Sequence, residues 1–578
     1  MSRRVRILLV LLLLGGFGVY RYLDQRAAPA GDAAGTTGGR LVATIRSEPT
    51  SFNRFVVADA GTLVISALTA DTLVRVDRAT GALQPRLARA WTTSPDGLTW
   101  TLDLRQGVKF SDGAAFTSAD VLFTFETLYD TRVHSPMAGG FLVNDKPLVP
   151  RATDDHTVVL TFPSAFGPGL SILDGLPILP RHMLHATLKE GTFGKAWGVT
   201  APVNALVGLG PFVITEVVAG SRVRLARNPE FWRHDDQGKP LPYLDGIDLE
   251  VVPDQNAEVL RFESGHADLL TDQVRPEDLA AFKNAEAKGA LKLVDAGVGA
   301  DPPLLWFNLT PRAPRARDRP WLQSEALRRA ISSGVDRQAL ANTVYLGAAE
   351  PVWGPVTSGA GEWYVPALPR TPFDLNTARA ELRSLGLTDR TGDGLLHDAA
   401  GKTARFSILT QKGNTMLERG AAVLKEQLAK VGLTADVDAL ERRAMIGKFA
   451  AGDYDAMYFV FYASSTDPAL NPDFWLSSGS FHVWHPGQTT PATAWETRID
   501  ALMREQATSI DAAARRRLFA QVQTIFAEHL PALYFASPKV TVAMSARVAG
   551  AQPVVRQPQV LWNAEELHLL APRAASGR

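Results

Sequence analysis

His182 and His185 stand three residues apart just after Pro180, so one helical face could present both imidazoles to a metal ion. No third ligand lies nearby, and the chain holds only 11 histidines. Asp389, Thr391, Asp393 and Gly394 follow the first half of a calcium loop, but Ala400 stands where the bidentate glutamate is required, so a turn between strands is expected. Gly297 and Gly299 make a GxG fragment without the third glycine of a phosphate loop, and neither GxSxG nor HExxH occurs. The pair Glu565 and Glu566 is of a kind common in soluble chains and gives no sign of hydrolysis. An aromatic tract of Phe474, Trp475, Phe481 and Trp484, with His482 and His485, could line a broad apolar cleft or pack between elements. No nucleophile and base are visible together. The chain is therefore expected to be no enzyme, with no catalytic residue, metal ligand or cofactor.

Composition narrows the classes further. Lys and Arg number 60 against 60 Asp and Glu, so the clustered basic surplus of a nucleic-acid reader is missing. Absence of cysteine excludes thiolate metal centres, disulfide scaffolds and a lipidated cysteine, and it permits export to an oxidising compartment. At 578 residues, two to four domains are expected, interleaved rather than in series.

Arg3, Arg4 and Arg6 precede an apolar run from Ile7 to Tyr20, the order that an export machinery reads. About fourteen residues rising ~1.5 Å each cover ~21 Å, less than a ~30 Å hydrocarbon core, which favours a signal peptide over 1–30. The small residues Ala28-Pro29-Ala30 lie about ten residues past the run, beyond Arg21, Asp24 and Arg26, which favours instead an uncleaved anchor over 7–23. Residues 31–39 read as a flexible tether, and the fold begins near Arg40.

Beyond residue 40 strand and helix patterns alternate, giving an α/β class. Leu98, Trp100, Leu102 and Leu104 mark one side of a strand, as do Val223 and Leu225. Thr117 and Asp120 form a capping box before a helix whose face carries Val121, Leu122, Phe125, Leu128 and Tyr129. Further helices are expected around Leu327 to Ile331, from Leu417 to Val431 before Gly432, and from Leu518 to Phe526 before Pro531.

The segments SEPTSFN at 47–53 and DTLVRVDRATGALQPRLARAWTTSPDGLTWTLDLRQGVKFSDGAAFTSADVLFTFE at 71–126 resemble the signature region of family 5 extracytoplasmic solute-binding proteins, which serve peptide and nickel ABC importers. GLGPF at 208–212, RNPEFW at 227–232, LRRAISSGVDRQAL at 327–340, DRTGDGLLHDAAGK at 389–402 and GDYDAMYF at 452–459 continue the pattern in order. The resemblance implies a two-lobed periplasmic-binding-protein fold, type II of the large kind with an additional domain. Lobe I would be discontinuous, from 40–70, 191–300 and 538–578, with the additional domain at 71–190 and lobe III at 301–537. It also implies a monomer that captures a peptide or other small molecule by hinge closure and delivers it to an ABC permease and ATPase complex. Its place would be periplasmic or extracytoplasmic, with the N-terminal segment at the inner membrane and no nucleic-acid partner.

Site residues follow from the same resemblance. Relatives that bind peptides place an aspartate four residues ahead of a proline to pair with the ligand α-amine, and here Ser464 stands four ahead of Pro468. A hydroxyl supplies no charge for a buried ammonium, so ligands without a free amine gain ground. Asp467 either substitutes or shapes the loop. Phe461 and Tyr462 fall where relatives present an apolar wall, and either line the cleft or lie in the core. Val57, Ala58, Asp59 and Ala60 match the stretch whose main chain pairs with an extended peptide, or form a loop entering a helix capped by Asp59. Arg442 either meets a ligand carboxylate or is solvated. Asn414 either faces the cleft or caps the next helix.

Overall fold

A computed structural model describes residues 38–252, 254–310, 318–461 and 466–570. The expected export segment and nearly all of the tether lie outside them. Among the described residues no helix is long and apolar enough to cross a membrane.

The main sheet has eight strands. Its order runs Phe212–Val218, Arg222–Arg227, Gly246–Val251, Arg40–Ile45, Leu269–Leu270, Ala536–Ser545 and Leu291–Val298, with Ala349–Pro351 pairing on Ala536–Ser545. Arg40–Ile45 runs parallel to Gly246–Val251. Such neighbours need long connections, so distant parts of the chain meet in one sheet. Leu41, Ala43, Leu225, Ile247 and Leu249 are fully buried in its core.

A second sheet of five strands is ordered Thr434–Leu440, Arg405–Gln411, Ala456–Phe459, Leu304–Phe307 and Ala532–Tyr534. The last three are buried along their whole length, as a sheet covered on both faces requires. Helices Glu325–Gly334, Thr415–Ala429 and Ala512–His529 occupy the places that the apolar spacing predicts. Val431 falls just beyond its helix, where Gly432 takes φ 87°.

Between residues 71 and 190 lies a third core, built on the antiparallel sheet Ala88–Thr93, Thr99–Leu104, Thr157–Thr161 and Val149–Asp154. Helix Ser118–Tyr129 contributes the buried Val121, Phe125 and Leu128, and Asp120 accepts from the Thr117 amide at 2.9 Å, closing the expected capping box.

A buried ion cluster ties this core to the rest. Glu565 pairs with Arg75 at 3.0 Å, with Arg86 at 2.9 Å and with Arg233, while Asp71 accepts from Arg86 and from the Trp232 indole, each at 2.9 Å. Burial opposes the Glu565 charge, but the three guanidiniums prevail and hold its pKa at about 2. The acidic pair is thus partly structural.

The hairpin at 389–397 explains the calcium-like motif: Asp389 accepts from the amides of Thr391, Gly392 and Gly394, so its oxygens close a turn. His182 bonds Asp112 at 2.7 Å, whereas His185 packs against Phe123, so the two rings do not converge.

Candidate functional site

Two stretches that join the eight-stranded and five-stranded sheets, from Val298 to Leu304 and from Tyr534 to Ala536, lie side by side, and the chain returns to the eight-stranded sheet once more at Ala349–Pro351. The first stretch is bonded to the strand that the second enters. Gly299 donates its amide to the Pro538 carbonyl at 2.8 Å, and the Gly299 carbonyl accepts from Ser537 and Thr357 hydroxyls, each at 2.8 Å. A Cβ on Gly359 would lie 2.1 Å from the Val298 carbonyl oxygen, so only glycine lets that turn approach the first passage.

Beside these passages lies a partly open cavity of about 100 Å³. Its floor is Ala300, Asp301 and Pro302, its walls carry Trp363, Phe461, Trp475 and Tyr534, and Arg556 enters from the C-terminal segment. Apolar and aromatic walls with a few polar groups are the usual make-up of a small-molecule site.

Each wall is fixed from behind. Trp363 donates its indole N–H to the Thr466 carbonyl at 3.0 Å, meets Phe519 edge-on at 5.9 Å, and has the Arg515 guanidinium 5.3 Å over its ring. Arg515 in turn makes a buried 2.6 Å ion pair with Asp467. Phe461 contacts Trp306 at 5.5 Å and the partly exposed Phe481 at 5.7 Å. Burial pushes the Tyr534 phenol well above its ordinary value, the Asp301 charge adding to the effect.

Phe461 is the expected ligand contact that lies in this cavity, and Trp475 of the aromatic tract joins it. Tyr462 and Ser464 lie outside the described residues. Asp467 accepts from the Ala469 amide at 2.9 Å and pairs with Arg515, which is the loop-shaping role; its neighbour Pro468 reaches the cavity. Asn414 accepts from the Leu417 amide at 3.2 Å as a helix cap, and Arg442 is exposed at the first position of helix Arg442–Ala451. Asp59 caps Ala60–Thr69, accepting from the Thr62 amide at 2.8 Å. Among the described residues no main-chain bond engages Val57 or Ala58.

Sequence reasoning missed Asp301, Trp363, Phe519, Tyr534 and Arg556. They come from widely separated segments, and no local spacing links them. Among the described residues the cluster with ligand atoms close enough for a metal ion is His482, His485 and Glu496, within 4.8 Å of one another. Its atoms already serve one another: Glu496 Oε1 meets His482 at 3.1 Å and His485 at 2.8 Å, Oε2 accepts from the Ala492 and Thr493 amides, and His485 Nε2 faces the Leu309 carbonyl at 2.8 Å.

The sequence profile of the bacterial extracellular solute-binding proteins, family 5, matches residues 82–482. A Deinococcus radiodurans protein described as a probable ABC transporter-binding protein is 27% identical over 535 residues, 89% of each chain. The oligopeptide-binding protein AppA of Bacillus subtilis is 25% identical, again over 89% of each chain. In three dimensions, NikA from Brucella suis in complex with Fe(III)-EDTA superposes with a TM-score of 0.76 at 20% identity, covering 92% of this chain and all of that one. These likenesses establish the two-lobed, type II periplasmic-binding-protein fold.

Proposed function

Because this chain belongs to the bacterial extracellular solute-binding proteins, family 5, we propose that it captures a peptide between its lobes by hinge closure and releases it unaltered to an ABC permease and ATPase complex. The observation that carries this reading is the aromatic cavity at the two passages between the sheets, where a guest would touch both sides at once. AppA, an oligopeptide binder that matches along most of the chain, supports the peptide class.

Strand membership of the sheets supports a lobe I drawn from 40–70, 191–300 and 538–578, with 71–190 added to it and 301–537 as lobe III, apart from Ala349–Pro351, which reaches across to pair with Ala536–Ser545. The protein acts as an extracytoplasmic, non-catalytic monomer held at the inner membrane by residues 7–23. Phe461 forms part of the apolar wall, and the open main chain at Val57 and Ala58 offers an edge for an extended ligand.

Ser464 favours a second reading, a guest without a free amine such as a blocked peptide, an oligosaccharide or a metal chelate. Thermal unfolding with free-amine and N-acetylated peptides tests both. Stabilisation by free peptides, about 2.7 kcal/mol at a hundredfold excess over Kd, is expected. Stabilisation by acetylated peptides alone would favour the second reading, and none by either would reject a peptide ligand.

A further inference from the structure

Among the described residues Arg556 is the one cation on the cavity wall and no hydrogen bond or ion pair engages it; its Nε is buried without a partner. Leaving guanidinium N–H groups unsatisfied away from water is costly, so such a group in a binding cavity marks a place for an acceptor that arrives with the guest. Its surroundings carry surplus positive charge. Arg78 is already committed to Asp174 at 2.7 Å, and Arg54 donates to the Gly175 carbonyl at 2.8 Å while its own Nε also lacks a partner. Arg54 and Arg78 thus share the Asp174 carboxylate, and Arg556 feels the like charge of Arg78 and the opposite charge of Asp301. Burial lowers the Arg556 pKa and the nearby Arg78 lowers it further, with Asp301 opposing, so the site as it stands under-compensates this charge. An anion would restore the balance, and a guanidinium fork fits a planar carboxylate through two parallel bonds.

Resting on the solute-capture reading, we propose that Arg556 receives a carboxylate of the guest, while Trp363, Phe461 and Trp475 cover the apolar part attached to it. Closure would then be completed by a charge pair between guest and lobe I and by aromatic contact with lobe III.

Calorimetric titration of tetra-alanine and its C-terminal amide tests this. Wild-type protein is expected to bind the acid about tenfold or more tightly than the amide, the scale of a charge-assisted bond. Arg556→Gln should erase that preference and Arg556→Lys keep part of it. Equal affinities for acid and amide in wild type, or a preference that survives in Arg556→Gln, would overturn the proposal and leave solute capture standing. Should neither peptide bind, the peptide reading fails and a peptide-free probe decides. Succinate, against sodium chloride of equal ionic strength, is expected to raise the melting temperature of wild type and not of Arg556→Gln. No rise in wild type, or an equal rise in both, refutes the carboxylate site. The wild-type comparisons hold even if a variant does not fold.

Discussion

Asp467 and Arg515 show how a candidate ligand contact becomes part of the frame. Both are buried, the pair is 2.6 Å long, and Arg515 also donates to the Gln506 carbonyl at 3.1 Å while lying over the Trp363 ring. Removing either partner strands the other charge away from water. Arg515→Ala is expected to cost roughly 3–5 kcal/mol, read from urea unfolding, and to weaken guest binding through the loosened Trp363. A loss below 1 kcal/mol would contradict the frame role. Glu565 gives a pH counterpart. Its folded pKa of about 2 lies below the ordinary 4.5, so its contribution is complete above the ordinary value and is lost as pH falls toward 2. Stability curves between pH 5 and 2 should therefore fall less steeply in Glu565→Gln than in wild type, by on the order of 3 kcal/mol across that window. The caps at Asp59 and Asn414 were legible because a cap is decided by neighbours within three residues. Asp467–Arg515 was not, since nothing local joins residues 48 apart.

Among the elements, helix Thr415–Ala429 and the turn at Gly359 separate stability from binding. Asn414 supplies the cap, and among the described residues its side chain bonds only within that helix. Asn414→Ala should lower stability by about 1 kcal/mol with guest affinity unchanged, as calorimetry would show; a matching loss of affinity would return Asn414 to the cleft. Gly359 has the opposite character. An added methyl would collide with the Val298 carbonyl oxygen, forcing the segment Ser358–Trp363 away from the passage. Gly359→Ala is thus expected to cost about 1–3 kcal/mol and to reduce affinity as Trp363 shifts. Helices and strands with a clear period were readable, since burying one face needs one spacing. Order within the sheets was not readable from that spacing: parallel pairing of Arg40–Ile45 with Gly246–Val251 is set by packing across about 200 residues, and the family resemblance implied only that the two segments share a lobe.

For the whole molecule, the distribution of tight contacts argues which parts move together. The Glu565 cluster joins Arg75 and Arg86 of the four-stranded-sheet core to Arg233 and the C-terminal segment through buried charge pairs, each costly to break alone. Between the eight-stranded and five-stranded sheets, the stretches Val298 to Leu304 and Tyr534 to Ala536 are held by short main-chain and hydroxyl bonds around Gly299, and Ala349–Pro351 adds a short antiparallel pairing to Ala536–Ser545. Rotation about those two stretches separates none of these charge pairs, so the four-stranded and eight-stranded cores should travel as one body against the five-stranded one. Absence of native cysteine makes this measurable with unambiguous labels. The exposed positions Lys146, Glu263 and Lys425 fall one on each core region, so Lys146→Cys, Glu263→Cys and Lys425→Cys, taken in pairs, report all three separations by single-molecule energy transfer. On adding a guest that raises the melting temperature, the 146–263 separation should stay constant while 146–425 and 263–425 change together. A change confined to 146–263 would place the moving joint at the ion cluster instead, and Glu565→Gln should then enlarge it.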